Sequence, residues 1–180
     1  MYGLVNRAIE GLIVKQFGTD VWEEIKIKAE FDESGFIGMK TYPDSLTYKL
    51  VMAASDVTKI SPELLLEAFG EYWILYTSEE GYGKMMEAGG RTFPDFLRNL
   101  NMMHYRLGNI MPELVMPEFE VTDEESNSLL LHYRSKRAGL APMVVGLTKG
   151  LGKRFNLVCL VNQIEFKATG ADHDIFLVNW

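Results

Sequence analysis

Residues 92–117 read TFPDFLRNLNMMHYRLGNIMPELVMP, and the rest of the chain is organised around them. The apolar residues Phe93, Phe96, Leu97, Leu100, Met103, Leu107, Ile110 and Met111 recur at spacings of three and four, the period of one helix face. Thr92 is placed as an N-cap, and Pro94 falls in the first turn, where a missing N–H costs nothing. His104 is the one residue on the stripe that is not apolar. The spacing points it into the core, where its ring nitrogens need partners. It is then either a histidine satisfied by its neighbours or an axial ligand to a metal or haem iron.

The surrounding composition narrows the choice. A chain of 180 residues fits one domain, or one domain of two sub-lobes, with a helical part over about 1–117 and an α+β part over about 118–180. The net charge of −7 argues against nucleic acid, which needs a basic face. Cys159 is the only cysteine, which excludes an internal disulfide and any cysteine-based zinc site. Three histidines, His104, His132 and His173, are too few and too scattered for a zinc cage. Haem needs only one protein ligand and suits a single histidine better. The opening MYGLVNRAIEGLIVKQFG has polar residues spaced through it, as in an amphipathic helix rather than a signal peptide. No apolar run approaches the ~20 residues of a membrane helix. A cytoplasmic location is the expectation.

In order along the chain, Tyr2–Phe17 has helical spacing and ends at Gly18. A second helix is expected over about Asp20–Ala29, with Asp20 and Glu23 in capping-box order. Glu30–Tyr42 reads as a loop, and Pro43 and Asp44 open a third helix that runs to about Ala54. Ser61-Pro62-Glu63 is a strong start for a fourth, carrying Phe69, Tyr72, Trp73 and Tyr76 to about Thr77. Glycines bracket a short helix near Lys84–Ala88, before the His104 helix. Beyond Pro117 the period falls to two: strands are expected at Phe119–Val121, Ser128–Ser135, Leu157–Phe166 and Asp174–Val178. Leu140–Phe155 is helix-like, its small residues Gly146 and Gly150 allowing close packing. The fold class is therefore α+β, with a helical N-terminal sub-lobe and a roughly four-stranded antiparallel sheet.

A second group of polar residues follows from strand alternation. If Ser128–Ser135 is a strand, Tyr133, Ser135 and Arg137 share a face and present a phenol, a hydroxyl and a guanidinium. Such a trio grips a carboxylate or phosphate. With an inward histidine one helix away, it suits the two carboxylates of a haem. The glycines from Gly146 to Gly152 do not make a phosphate loop, because Arg154 follows Lys153 and no strand precedes them. Nothing in the sequence reads as an enzyme.

Together these residues resemble a known family. His104 after an apolar stripe, Pro117 thirteen positions on, and Tyr133-x-Ser135-x-Arg137 are similar to the haem nitric oxide/oxygen-binding (H-NOX) domain. So are MYGLVNRAIE, Phe69-Gly70-Glu71 and the run Tyr76 to Tyr82. The resemblance extends to stand-alone cyanobacterial members and to the haem domain of the soluble guanylate cyclase β subunit. It implies haem b enclosed between the two parts, with His104 as proximal iron ligand. Tyr133, Ser135 and Arg137 would hold the propionates, and Pro117 would press on the porphyrin. Val5, Ile9, Trp73, Met143 and Leu147 would form the distal wall. The function it implies is a non-enzymatic sensor of nitric oxide and carbon monoxide that discriminates against dioxygen. It would signal, through release of the proximal histidine, to a separate histidine kinase or cyclic-nucleotide signalling enzyme. A haem oxygen or redox sensor, and a haem-free module for an apolar ligand or protein, are the alternatives.

Overall fold

The apolar periods become eight α-helices and four strands in a computed structural model that describes residues 1–180. The helical half comprises α1 (Gly3–Phe17), α2 (Thr19–Lys28), α3 (Asp44–Thr58), α4 (Pro62–Thr77), α5 (Gly83–Glu87), α6 (Phe93–Arg98) and α7 (Leu100–Ile110). Then follow β1 (Glu118–Thr122), β2 (Ser128–Arg134), α8 (Ala141–Arg154), β3 (Leu160–Glu165) and β4 (Asp174–Asn179). No helix is long and apolar enough to cross a membrane.

Helix starts follow side-chain chemistry where a hydroxyl is available. Ser61 accepts from the Leu64 N–H ahead of Pro62, and Thr92 accepts from the Asp95 N–H. The expected capping box at Asp20 and Glu23 does not form. Gly18, at φ 91°, closes α1 by donating to the Val14 carbonyl, and α2 begins at once at Thr19. Asp20 therefore lies inside the first turn, where its charge faces the helix dipole. α3 continues past Ala54 to Thr58, until Lys59 turns left-handed at φ 61°.

The 92–117 stretch departs furthest from expectation. It is two helices, broken at Asn99, whose side-chain amide donates to the Gly89 carbonyl at 2.9 Å. The stripe divides there. Phe93, Phe96 and Leu97 are buried, whereas α7 buries none of its residues and leaves Ile110 56% exposed.

The sheet runs β1-β2-β4-β3, antiparallel throughout. β2 stops at Arg134, short of the expected Ser135, because its partners stop. β1 begins after Pro117, which has no N–H to give, and β4 begins at Asp174 opposite Tyr133. β3 is likewise shorter than the expected Leu157–Phe166, with a bulge between Gln163 and Glu165.

Two apolar cores result. One joins α1–α4 and the loop carrying Phe31, Phe36 and Tyr42. The other joins the sheet's inner face (Leu129, Leu131, Phe176, Val178) to Met86, Phe93, Phe96, Leu97, Val144 and Leu151. Helices end and strands begin near residue 117, but the cores divide elsewhere, since α6 packs with the sheet. α4 and α8 cross between the cores. A Cβ on Gly70 would lie 2.2 Å from the Met143 carbonyl oxygen, and one on Gly146 1.9 Å from that of Glu67. Only glycine permits so close an approach of backbones. Ion pairs Lys149–Glu67 and Lys153–Glu71 flank the crossing.

Candidate functional site

Between the two cores lies a cavity of about 430 Å³, within the range of cofactor sites. Of its 42 lining residues 32 are hydrophobic, so it is an apolar slot with few polar groups at its margin. Every site residue expected from the sequence borders it: His104, Pro117, Tyr133, Ser135, Arg137, Val5, Ile9, Trp73, Met143 and Leu147.

His104 sits on α7, half-buried against the slot rather than in a packed core. Its Nδ1 lies 3.3 Å from the Pro117 carbonyl oxygen, and its ring centroid 5.8 Å from that of Phe119. A carbonyl only accepts, so Nδ1 carries the proton and Nε2 keeps a free lone pair. Burial pushes the imidazole below its ordinary value, opposed in part by the Pro117 contact, which favours a neutral, ligating ring. No three His, Cys, Asp or Glu side chains gather as a metal cage anywhere in the chain.

Tyr133, Ser135 and Arg137 come together by a turn, not by strand alternation, because β2 has already ended. Ser135 Oγ accepts from the Arg137 N–H at 3.0 Å and folds the loop back. Tyr133 is buried on the sheet's inner face, and that burial raises its phenol above the ordinary value. The Arg137 guanidinium spans the two halves of the molecule. Its Nε donates to Asp44 Oδ2 at 2.7 Å and its Nη1 to the Val115 carbonyl at 2.6 Å. A weaker contact joins Nη2 to Asp44 Oδ1 at 3.4 Å. Asp44 Oδ1 also accepts from the Met1 ammonium at 2.6 Å. With five N–H donors, Arg137 retains two for another anion. Sequence reasoning missed Asp44 here, having read it only as the opening of a helix. It also missed the Leu114–Met116 wall, which has no periodic signal.

Further parts of the slot's wall come from α1 (Val5, Ile9), α4 (Phe69, Trp73) and α8 (Met143, Leu147). Thr47 on α3 also borders the slot, but its hydroxyl donates to Asn6 Oδ1 at 2.8 Å. One neutral imidazole, a wide apolar slot and a phenol, hydroxyl and guanidinium at its margin meet the needs of a flat macrocycle bearing two carboxylates. The residues fit a haem.

Comparison with known proteins agrees. The family model described as haem-NO-binding matches residues 2–163. Soluble guanylate cyclase gcy-37 of Caenorhabditis elegans is 32% identical over 187 residues, covering 99% of this chain and 26% of the cyclase. Its paralogue gcy-35 is 30% identical over 191 residues, covering 99% of this chain and 27% of the cyclase. The chain thus spans about a quarter of the length of these relatives. Among solved structures, a triple mutant of an H-NOX protein from S. oneidensis in the Fe(II) state superposes with a TM-score of 0.91 at 20% identity, covering 99% of this chain and 95% of that one. Unliganded H-NOX from K. algicida superposes at 0.85 with 23% identity, covering 99% and 96%. The chain belongs to the haem-NO-binding (H-NOX) family, haem-based gas-sensing domains related to soluble guanylate cyclase.

Proposed function

We propose that this domain holds haem b and senses nitric oxide, with carbon monoxide as a second ligand, while leaving dioxygen weakly held. Bound haem supplies an open coordination position at iron. His104 provides the single protein nitrogen, Nε2, its ring oriented by the Pro117 carbonyl. Tyr133, Ser135 and the spare donors of Arg137 hold the propionates. Selectivity follows from the wall that α1, α4 and α8 build. Dioxygen at iron is polarised and gains most from a hydrogen-bond donor, and Val5, Ile9, Met143 and Leu147 offer none. Trp73 has an indole N–H, and the slot is also lined by Tyr2 and Tyr82; these donors are what favours an oxygen sensor instead.

For signalling, α7 buries no residue of its own; besides His104 it is held to β1 by Asn101, whose side chain donates to the Phe119 carbonyl at 2.6 Å and accepts from the Phe119 N–H at 2.9 Å. Release of His104 when nitric oxide binds would free the helix, a two-state element both ends of which can be biased. The recipient in this reading is a separate histidine kinase or cyclic-nucleotide signalling enzyme. The observation that carries the proposal is the single imidazole, tied through Nδ1 to Pro117, beside an apolar slot with a donor-poor wall. The test is the visible spectrum of the reduced protein under nitrogen, air and nitric oxide. A five-coordinate spectrum indifferent to air and a five-coordinate nitric oxide complex are expected. A stable oxygen complex moves the reading to an oxygen sensor. No haem after reconstitution would leave the haem-free module.

A further inference from the structure

The outer face of the sheet carries a chain of hydrogen bonds that the slot does not use. Thr122 ends β1, His132 lies on β2, and Asp172 and His173 occupy the turn before β4. Thr122 Oγ1 lies 2.8 Å from His132 Nε2, His132 Nδ1 lies 2.8 Å from His173 Nε2, and His173 Nδ1 lies 2.8 Å from Asp172 Oδ2. β2 alternates in burial, so His132 faces away from Leu131 and Tyr133.

Two facing imidazole nitrogens suggest a metal, but the geometry excludes one in this arrangement. The ring centroids are 5.1 Å apart, as they must be when nitrogens 2.8 Å apart point straight at one another. An ion needs roughly 2.0–2.1 Å to each nitrogen and cannot sit between them. A proton can. A carboxylate only accepts, so His173 carries its proton on Nδ1 and accepts at Nε2. His132 must then donate from Nδ1 and, when neutral, accept at Nε2 from the Thr122 hydroxyl. One added proton at His132 Nε2 reverses a single bond: Thr122 accepts from His132 and donates to Asp123 Oδ2, 3.1 Å away. A second proton has no acceptor, because His173 Nε2–H would face His132 Nδ1–H, donor against donor.

We propose that His132 and His173 form a proton-operated clasp, which fastens the β3–β4 turn to β1 and β2, accepts one proton intact, and opens on a second. The turn matters to the slot. Lys167 Nζ donates to the Ser135 carbonyl at 2.8 Å, and the Lys167 N–H donates to Asp174 Oδ1 at 2.9 Å. An open clasp therefore loosens the backbone in the middle of the Tyr133–Arg137 loop. Charged groups face the clasp from every side. Glu120 and Asp123 favour protonation of His132, and Arg134 opposes it. Asp172 and Lys167 act from the turn. Burial, then His173, hold His132 below its ordinary value.

The test follows the imidazole ¹⁵N resonances and turn amide exchange of the full chain against pH. At neutral pH both histidines are expected to carry their proton on Nδ1, the tautomer that free histidine disfavours. Two well-separated proton uptakes should follow, with exchange over 166–173 accelerating only at the second. A His132 protonated on Nε2 at neutral pH, or two uptakes at one pH, overturns the clasp. His173→Gln should abolish the acid step in turn exchange; its persistence overturns the proposal. Should that variant not fold, Thr122→Val should move the first uptake to lower pH, and an unmoved uptake is equally fatal.

Discussion

Asp44 is the residue at which three distant parts of the chain meet: the Met1 amine, the head of α3 and the Arg137 loop. The Arg137 guanidinium, and after it the Met1 ammonium, hold its carboxyl below the usual value, against the opposing effect of partial burial. A carboxyl depressed in the folded state stabilises the fold above its unfolded value, about 3.9, and loses that contribution as pH falls through its folded value. Asp44→Asn should therefore flatten the fall in Tm on acidification below about pH 4, where carboxylates titrate. The size is modest because the side chain is 39% exposed and screened. Thermal unfolding scans across that range check it, and an unchanged slope would mean the bridge is stabilising nothing. This residue also marks a limit of legibility. His104 stood out as one polar group on an apolar stripe, and Tyr133, Ser135 and Arg137 as donors at even spacing. Asp44 and Arg137 are 93 positions apart, and no local pattern links two charges at that distance.

Among the elements, close packing on α8 was legible in Gly146 and Gly150, but neither its partner α4 nor the break in the His104 stretch was. Gly146 and Gly150 advertise close packing because a helix keeps glycine only at a cost. Asn99 gives no such warning: its neighbours keep the helical period, and the break comes from a tertiary bond to Gly89. The strand ends were hidden for the same reason, being set by where β1 and β4 begin. The two helical glycines Gly146 and Gly108 should respond oppositely to alanine. Gly146→Ala drives a methyl into the Glu67 carbonyl and should cost about 2–3 kcal/mol. Gly108→Ala on α7 meets nothing within 4 Å and should gain about 0.5–1 kcal/mol. Denaturant unfolding of both variants decides the matter; a neutral Gly146→Ala would show that the crossing can open.

Across the whole molecule, the two cores were foreseeable only as a helical part and an α+β part. The sequence does not reveal that α6 joins the sheet, since an apolar helix face does not name what covers it. The finished arrangement makes stability uneven. α4 and α8 are braced by backbone contact and ion pairs, while α7 has no buried residue. Amide exchange should accordingly be fastest in α7 among helices of ten or more residues and slow in α4 and α8. Protection of α7 equal to that of α4 would contradict this. In mechanical terms, the slot is a vice with one stiff jaw and one compliant jaw. Within the α4–α8 jaw the helices cannot close further, because they already touch through bare backbone. Strain created inside by a bulkier side chain on that wall is therefore expected to show first as displacement of α7, the helix with no buried residue.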